Sequence, residues 1–428
     1  MKEIGEHRLV REYLDTLCSQ IRCREVHEEI RLELLSHIEE QADAQSGLEK
    51  NPEEAIISAL AQMGDPVRLG KQLHRFHRPQ TEWGVLGAAA AFAALGVLAM
   101  YAIEASHSLG RGFPVGVFLR QLLSTSAGAA LAAILYFVDY RKIRGFSFWL
   151  FGLTALAAGL IALGPHKLHQ FQGVIAATPF LFMIALAGIF SSWDWAQPGA
   201  LLKISFLFFM PLIIYFSAPN MFLVVIYLAG FLVLAANSRA GRPPLLAVAG
   251  LGGSAAVIGF FKIVSTPYLL GRFKVLLAPE KYASGTGYQL VQAGRAIREA
   301  GPWGQGFSSS LEALPGVHSE FVFAYLVHAL GWVAGLGICL LAAFFLGSLL
   351  QVARRAKDRF GSLLVTGLVA LFAVQFGWNL LMIAGLVPIA GAAMPFVSFG
   401  SQSALQMAAV GVALSVYRRK DLLHQSHS

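Results

Sequence analysis

The sequence carries little charge for its length. Of its 428 residues only 14% are charged and 56% are hydrophobic, and the mean hydropathy is +0.60. A soluble domain carries about 25% charged residues, so this composition excludes an ordinary soluble protein. The apolar runs are long, continuous and rich in Leu, Ala, Gly and Phe, without the two-residue alternation of a membrane β-barrel. The sequence therefore predicts an all-α, polytopic membrane protein.

Cysteine is scarce as well. Cys18 and Cys23 lie in the charged N-terminal region and Cys339 lies inside an apolar run, so neither a disulfide framework nor a metal-binding spacing is indicated. The first 80 residues are charged and helical in pattern, which does not fit a cleavable signal peptide.

Residues 1–80 are predicted to form a small cytoplasmic helical domain. They contain 11 Lys/Arg and 15 Asp/Glu. Apolar residues recur at helical spacing from Leu9 to Ile21, and Asn51-Pro52 places a cap before a first-turn proline. A solvated bundle without its own chemistry and a docking or sensing domain are both consistent with this pattern. The domain resembles the prefix domain found ahead of some Gram-positive permeases and membrane sensors, in the segments Leu34–Gln41, Asn51–Leu60 and Met63–Leu73.

Residues 81–428 are predicted to form a membrane domain of about ten transmembrane helices. The apolar segments are 83–103, 118–138, 146–163, 174–191, 200–217, 221–236, 246–264, 321–347, 362–384 and 400–417. This part has 22 Lys/Arg and 10 Asp/Glu, with the basic residues in short loops. Such loops indicate contact with the lipid bilayer and cytoplasmic N- and C-termini. Nucleic acid is not an expected partner.

One carboxylate stands at a predicted membrane boundary. A 56-residue loop, residues 265–320, is expected outside the cell and, with apolar residues throughout, to be ordered and functional. Glu320 ends this loop, between His318 and the apolar run that starts at Phe321. Partial desolvation there would raise its pKa toward that of a general base; the alternative is an acid that only favours a helix N-terminus. None of the ten acids lies in mid-span, which disfavours an ion-coupled transporter.

Cations of the same loop are candidates for binding phosphate or pyrophosphate. Arg272 and Lys274 form one pair and Arg295 and Arg298 another. The alternative for each is a side chain that snorkels to the membrane interface.

The last predicted outer loop, Gly385–Ser403, places Pro and Gly at membrane depth. Irregular backbone there must be packed in protein or line a cavity, so a cavity between the last three spans is expected. Gln375 and Asn379 are predicted to hydrogen-bond across that interface, either around a site or as contacts between helices.

Four segments together resemble the SEDS family (shape, elongation, division and sporulation; the FtsW/RodA/SpoVE group): Arg120–Leu150, Pro267–Gly306, Leu314–Gly335 and Gln375–Ser403. The resemblance implies a peptidoglycan glycosyltransferase in the plasma membrane of a bacterium. Its substrate would be lipid II, the undecaprenyl-pyrophosphate-linked precursor of the cell wall, and its partner a class B penicillin-binding transpeptidase. Division, elongation and sporulation all remain open as its role.

The resemblance also implies site residues. Glu320 aligns with the essential aspartate of the family and would act as general base. The implied substrate-binding residues are Arg272, Lys274, Gln292, His318 and Ser398. These cations, or a bound divalent metal such as Mg²⁺ or Mn²⁺, would stabilise the leaving pyrophosphate.

The chain departs from the family pattern at several acids. Glu320 replaces Asp, which moves the carboxylate by roughly one bond, whereas catalytic geometry tolerates about 0.5 Å. Ala177–Ile184 and Ser217–Phe222 lack the acids that the family has there. The alternatives to an enzyme are therefore a non-catalytic regulator of wall synthesis and a protein that binds or flips the lipid precursor.

Overall fold

The computed structural model is helical and has no strand in the residues that it describes. These are all residues except 1–4, 6, 22–26, 47–51, 77–79, 108–115, 165–171, 195–196, 198, 218–219, 239–241, 308–313, 401 and 421–428. The chain divides into two units, residues 1–81 with 418–428 and residues 82–417. The sequence did not predict that residues 418–420 belong to the first unit, where Lys420 Nζ donates to Gln80 Oε1 at 3.0 Å.

The described part of the first unit contains four helices: α1 (Arg8–Ser19), α2 (His27–Ser46), α3 (Pro52–Met63) and α4 (Pro66–Phe76). The apolar spacing from Leu9 to Ile21 predicted the first of them. Pro52 opens α3 as predicted, while its expected cap Asn51 lies outside the described residues. Asp65 caps α4, because its carboxylate accepts hydrogen bonds from the backbone N–H groups of Val67 and Arg68, each at 3.2 Å. The fully buried core includes Val10, Leu17, Ile38 and Ala59.

The second unit has ten apolar helices, one at each predicted segment, within the described part of the chain. They are α5 (Trp83–His107), α6 (Val117–Phe137), α8 (Ser147–Leu163), α10 (Thr178–Ser191), α11 (Ala200–Ser217), α12 (Phe222–Asn237), α13 (Arg242–Ser265), α16 (Val322–Arg355), α17 (Arg359–Ile383) and α18 (Gln402–Arg418); the single turns α7 (Arg141–Arg144) and α9 (Gln172–Ile175) lie between them. By length and composition, α5, α6, α11, α16 and α17 each suffice to cross a bilayer. Shorter apolar helices, α8, α10 and α12, accompany them.

The loop predicted over residues 265–320 contains α14 (Pro267–Leu277), a 3₁₀ turn (Pro279–Tyr282) and α15 (Tyr288–Ala300). α13 and α14 meet at 93°, and if they are counted as one broken span the chain has up to six spans in the part that could be searched. The bend falls at Thr266, whose backbone is extended (φ −111°, ψ 104°). The following proline disfavours helical backbone at that residue and thus ends α13.

α16 is broken at Gly331, whose backbone has φ 90° and ψ 173°. The segment after α15 docks on this break, where Trp332 N donates to Gly301 O at 3.0 Å. A Cβ atom on Gly331 would lie 2.1 Å from Pro302 O. Both the positive φ and this close approach require glycine at the break.

The core of the second unit surrounds α17, which packs against α16, α10 and α12. An aromatic cluster joins this core to the chain between α17 and α18. Its rings, with neighbouring centroids 5.2–6.4 Å apart, are Phe92, Phe345, Phe372, Phe376 and Phe396.

Candidate active site

Glu320 lies in the turn that leads into α16, and its backbone is held from two sides. Ser319 N and Phe321 N both donate to Gly316 O, at 2.9 and 3.2 Å, which closes the turn. From α17, Asn379 Nδ2 donates to Glu320 O at 2.8 Å. From the other side, Ser398 Oγ donates to Ser319 O at 2.6 Å. The turn is therefore fixed to two neighbouring elements immediately before and at Glu320.

Residues 385–400, between α17 and α18, form the distal loop. Its Phe396 adopts φ 62°, an uncommon conformation for a residue other than glycine. Two buried amides stabilise it: Phe396 N donates to Gln406 Oε1 at 2.7 Å, and Gln121 Nε2 donates to Phe396 O at 3.3 Å. Asn379 Nδ2 also donates to Ala392 O, at 2.7 Å. One side chain thus connects the distal loop to Glu320.

The predicted interface role of Gln375 and Asn379 is confirmed. Gln406 Nε2 donates to Gln375 Oε1 at 3.3 Å across the α17–α18 contact. Asn379 is fully buried and donates to two backbone carbonyls. Both residues therefore make hydrogen bonds within the protein at this interface.

A cavity of about 280 Å³ opens beside Glu320. Its walls come from α12, α13, α14, α17 and the distal loop, with Glu320 entering from the turn. The lining residues are Asn220, Met221, Val225, Ile263, Tyr268, Leu269, Arg272, Phe273, Glu320, Trp378, Pro388, Ile389, Ala390 and Gly391. The cavity is therefore mostly apolar, with one carboxylate and one guanidinium in its wall, and it suits a molecule with an apolar and a charged part.

Glu320 is in an environment that favours its neutral form. Burial raises the pKa of this carboxyl, while the Arg272 guanidinium and a hydrogen bond from the backbone N–H of Gly391 lower it, so that the net pKa lies above the ordinary value of glutamate. A carboxylate with a raised pKa is a better proton acceptor than an exposed one. The predicted desolvation at this position is therefore present.

Arg272 connects α14 to the distal loop. Its Nη1 donates to Ile389 O and its Nη2 to the hydroxyl of Tyr268, and its guanidinium lies 4.7 Å from the centre of the Tyr268 ring. A guanidinium has five N–H donors, so these two hydrogen bonds leave three donors for a ligand. Arg272 is thus held in place and still able to bind an anion.

The other predicted binding residues do not line this cavity. Lys274 is exposed on α14, because residues two apart on a helix do not share a face. Gln292 is half-buried on α15. His318 packs its ring against Phe399, with centroids 5.9 Å apart. Ser398 accepts from Met394 N at 2.8 Å and donates to the turn that carries Glu320. Their roles in binding substrate stay predictions.

Among the lining residues that were not predicted as site residues are Asn220, Tyr268, Trp378 and Gly391. Asn220 belongs to the segment Ser217–Phe222, whose missing family acid was a sequence signal for this position. The position of Gly391 (φ 77°) is set by a backbone path that needs the folded chain. Arg295, one of the alternative cations, is paired with Glu299 at 2.7 Å.

A divalent metal beside Glu320 stays a prediction. Within the described residues, no three His, Cys, Asp or Glu side chains lie close enough together to hold an ion. The cavity wall contains one carboxylate, Glu320, beside the Arg272 guanidinium. A Mg²⁺ ion there would therefore need further oxygen ligands from water or from a substrate phosphate.

The family model described as "Cell cycle protein", for FtsW, RodA and SpoVE, matches residues 82–422. The chain belongs to this family. With its ten apolar helices, it is a bacterial multi-pass membrane protein.

Curated relatives agree with this membership. Stage V sporulation protein E of Bacillus subtilis (strain 168) is 31% identical over 191 residues, which are 44% of this chain and 51% of that protein. Peptidoglycan glycosyltransferase MrdB of Escherichia coli (strain K12) is 30% identical over 229 residues, covering 51% and 60%. The chain thus spans little more than half of the length of these relatives. A probable peptidoglycan glycosyltransferase FtsW of Geobacter sulfurreducens (strain DL-1 / KN400) is 26% identical over 360 residues, covering 78% and 94%.

Solved structures support the fold. A chain from a peptidoglycan synthase complex that coordinates polymerization and crosslinking matches with a TM-score of 0.62 at 21% identity, over 79% of this chain and 98% of that one. The rod shape determining protein RodA of Thermus thermophilus matches with a TM-score of 0.55 at 18% identity, over 79% and 97%. This FtsW/RodA/SpoVE member therefore shares their fold.

Proposed function

We propose that this chain is a peptidoglycan glycosyltransferase that polymerises lipid II during cell division, elongation or sporulation. The observation that carries the proposal is one cavity that contains both Glu320, with its raised pKa, and Arg272 between apolar walls. Lipid II combines an isoprenoid chain, a pyrophosphate and a sugar. Apolar walls suit the first, a guanidinium the second, and a basic carboxylate a hydroxyl of the third.

In the proposed reaction Glu320 is the general base. A hydroxyl of the acceptor sugar attacks the anomeric carbon of the donor, forming the new glycosidic C–O bond. The bond between that carbon and the pyrophosphate oxygen breaks, and undecaprenyl pyrophosphate leaves. The hydroxyl proton passes to Glu320, whose deprotonated form is therefore the active one.

Arg272 stabilises the leaving group in this scheme. The pyrophosphate gains negative charge as its bond to the sugar breaks, and a guanidinium in an apolar cavity stabilises such charge strongly. The hydrogen bonds of Arg272 to Ile389 O and to Tyr268 hold it in place before substrate arrives. This preorganisation favours the transition state, because less reorganisation is needed during the reaction.

The proposal includes a partner and an orientation. The similarity to a chain of a peptidoglycan synthase complex that coordinates polymerization and crosslinking supports a class B penicillin-binding transpeptidase as partner. Basic residues in the loops predicted inside support cytoplasmic N- and C-termini. Protease protection of tags at the two termini in sealed vesicles tests the orientation, and co-purification tests the partner.

A second candidate function is binding of the lipid precursor without turnover. It is favoured by the lone carboxylate in the described cavity wall and by the longer side chain of Glu320 in place of the family's aspartate. Such a protein would bind lipid II through Arg272 and regulate or deliver it.

Lipid II polymerisation by the purified full chain, alone and with its transpeptidase, separates these functions. General-base catalysis contributes about 10²–10⁴-fold, so Glu320→Gln is expected to lose at least 100-fold in rate while still binding lipid II. Glu320→Asp keeps the carboxyl but withdraws it, and an intermediate rate is expected. Arg272→Ala should lose activity, because it removes the cation that stabilises the leaving group. The matched control is Lys274→Ala, which removes an exposed cation two residues away and should retain activity.

The outcomes distinguish the candidates. No glycan from the wild-type chain in either condition, together with saturable lipid II binding, would support the binding function. Glycan formation that Glu320→Gln leaves intact would instead exclude Glu320 as the base.

A further inference from the structure

The short segment that precedes the first membrane helix differs in charge from the rest of its unit. Residues 66–80 contain four Lys/Arg and no Asp/Glu, although the first 80 residues hold 15 acids. All of those acids therefore precede α4 (Pro66–Phe76). The basic residues are concentrated in a helix that six residues, 77–82, separate from α5.

The apolar side of α4 is occupied within its own unit. Leu69 and Leu73 pack against the core that includes Leu17 of α1. Gly70 is buried, and a Cβ atom there would lie 2.6 Å from Leu17 O. α4 therefore cannot insert an apolar face into a bilayer without unfolding from α1.

The opposite side of α4 is cationic and exposed. Arg68, Lys71 and Gln72 are exposed, and residues three and four apart share one face of a helix. In the described residues no ion pair involves Arg68 or Lys71, so their charges are not neutralised by the acidic helices of the same unit.

We propose that Arg68 and Lys71 of α4 bind the headgroups of an anionic phospholipid bilayer. Clusters of Lys and Arg next to a membrane helix are attracted to anionic lipids, by roughly fivefold per basic residue near the surface. Six residues extend at most about 20 Å, so the chain keeps α4 close to the headgroup layer. Because the apolar face is already packed, the contact is electrostatic and peripheral, unlike that of an inserting amphipathic helix.

Full-length protein in lipid nanodiscs provides the test. A fluorophore is attached at Gln72→Cys, in a background where Cys18, Cys23 and Cys339 are replaced by alanine, and its quenching by headgroup spin-labelled lipid is measured. The matched reporter is Gln62→Cys, since Gln62 is an exposed glutamine of α3. Thermal unfolding of each variant confirms that α4 remains packed.

Quenching at position 72 is expected to be at least threefold stronger with one-third phosphatidylglycerol than with phosphatidylcholine alone. This increase with phosphatidylglycerol should disappear in 0.5 M salt, where the screening length falls to a few ångströms. It should also disappear in the double variant Arg68→Glu/Lys71→Glu. The reporter at position 62 should not respond.

Equal quenching in the two lipids would overturn the proposal and would be the result if the cationic face bound an acidic protein instead. Quenching that persists in high salt and after charge reversal would also overturn it, because it would indicate insertion. Equal responses at positions 62 and 72 would show general adhesion of the unit rather than binding by α4.

Discussion

Replacing Asn379 by leucine removes the side chain that connects Glu320 to the distal loop. The amide of Asn379 donates to Glu320 O at 2.8 Å and to Ala392 O at 2.7 Å, and the residue is 0% exposed. Leucine has the same branching and the same number of side-chain heavy atoms, but it is somewhat larger and has no donor. Both carbonyls therefore lose this partner while little cavity is created.

The expected cost in stability is modest. Hydrogen bonds between membrane helices contribute about 0.6 kcal/mol on average and about 1.7 at most, so the two bonds of Asn379 contribute about 1–3 kcal/mol. Folded domains have about 5–15 kcal/mol of stability, and Asn379→Leu is expected to fold with a thermal midpoint a few degrees lower.

The expected cost in activity is larger, because Glu320 and the backbone beside Gly391 both lose a constraint. A misplacement of about 1 Å can reduce a rate by about 10²-fold. Asn379→Leu is therefore expected to polymerise lipid II 10–100-fold more slowly than wild type. In a Glu320→Gln background the same change should cause little further loss, because the group that Asn379 positions is already absent.

Gln375→Leu is the matched control. Gln375 is a buried amide one turn away on α17 that accepts a hydrogen bond at 3.3 Å from Gln406. It makes no hydrogen bond to Glu320 in the described structure, so this variant should lose stability but little activity. The reasoning is refuted if Asn379→Leu is destabilised yet polymerises at the wild-type rate, or if Gln375→Leu loses as much activity.

Three further predictions concern charge, capping and backbone. Activity should be lost as the pH falls through the raised pKa of Glu320, because the deprotonated form is the base. Arg272→Gln removes a cation that lowers this pKa, so the acidic limb of the pH–rate profile should move to higher pH. A shift to lower pH would contradict this prediction. Tyr140→Phe removes a hydroxyl that donates at 2.5 Å to the carboxylate of Asp358, which caps α17. The free energy of unfolding should decrease by about 1.5–3 kcal/mol and the thermal midpoint should fall, while lipid II polymerisation is retained. Gly331→Ala places a Cβ atom 2.1 Å from a carbonyl oxygen at φ 90°. This change should destabilise the protein by more than the roughly 1–3 kcal/mol of backbone strain alone, whereas Gly337→Ala, with nothing within 4 Å, should be at least as stable as wild type.

The sequence predicted the helices of this protein well, because their signals are local. Long apolar runs mark the membrane helices, and Pro52 marks the start of α3. The apolar and aromatic content of residues 265–320 also predicted that this loop is structurally ordered, and its described residues contain α14 and α15. The break of α16 was not predicted, since Gly331 is required there by a carbonyl that is about thirty residues away in the chain.

The site was predicted less completely, because side-chain direction depends on register and on contacts that are distant in sequence. Arg272 and Lys274 are equivalent as charges, yet a helix directs them to different sides and only Arg272 reaches the cavity. Ser398 has the chemistry of a ligand contact, but its hydroxyl binds the turn of Glu320. Asn220 gave a sequence signal through a missing acid, but only the fold places it beside Gly391.

The predicted replacement of a family aspartate by Glu320 would have a structural consequence that these contacts define. Asn379 holds the backbone carbonyl of Glu320 and Ser398 holds that of the preceding residue, each at 2.6–2.8 Å. A backbone tied at two points has little freedom to retreat, so the additional methylene must carry the carboxylate further into the cavity. There the carboxylate lies near the Arg272 guanidinium and accepts a hydrogen bond from Gly391 N. Both interactions favour its charged form and partly offset the rise in pKa that burial causes. The distal loop thus places the N–H of Gly391 beside this carboxylate. Asn379 holds both that loop and the backbone of Glu320, which is why its hydrogen bonds are the most informative ones to remove.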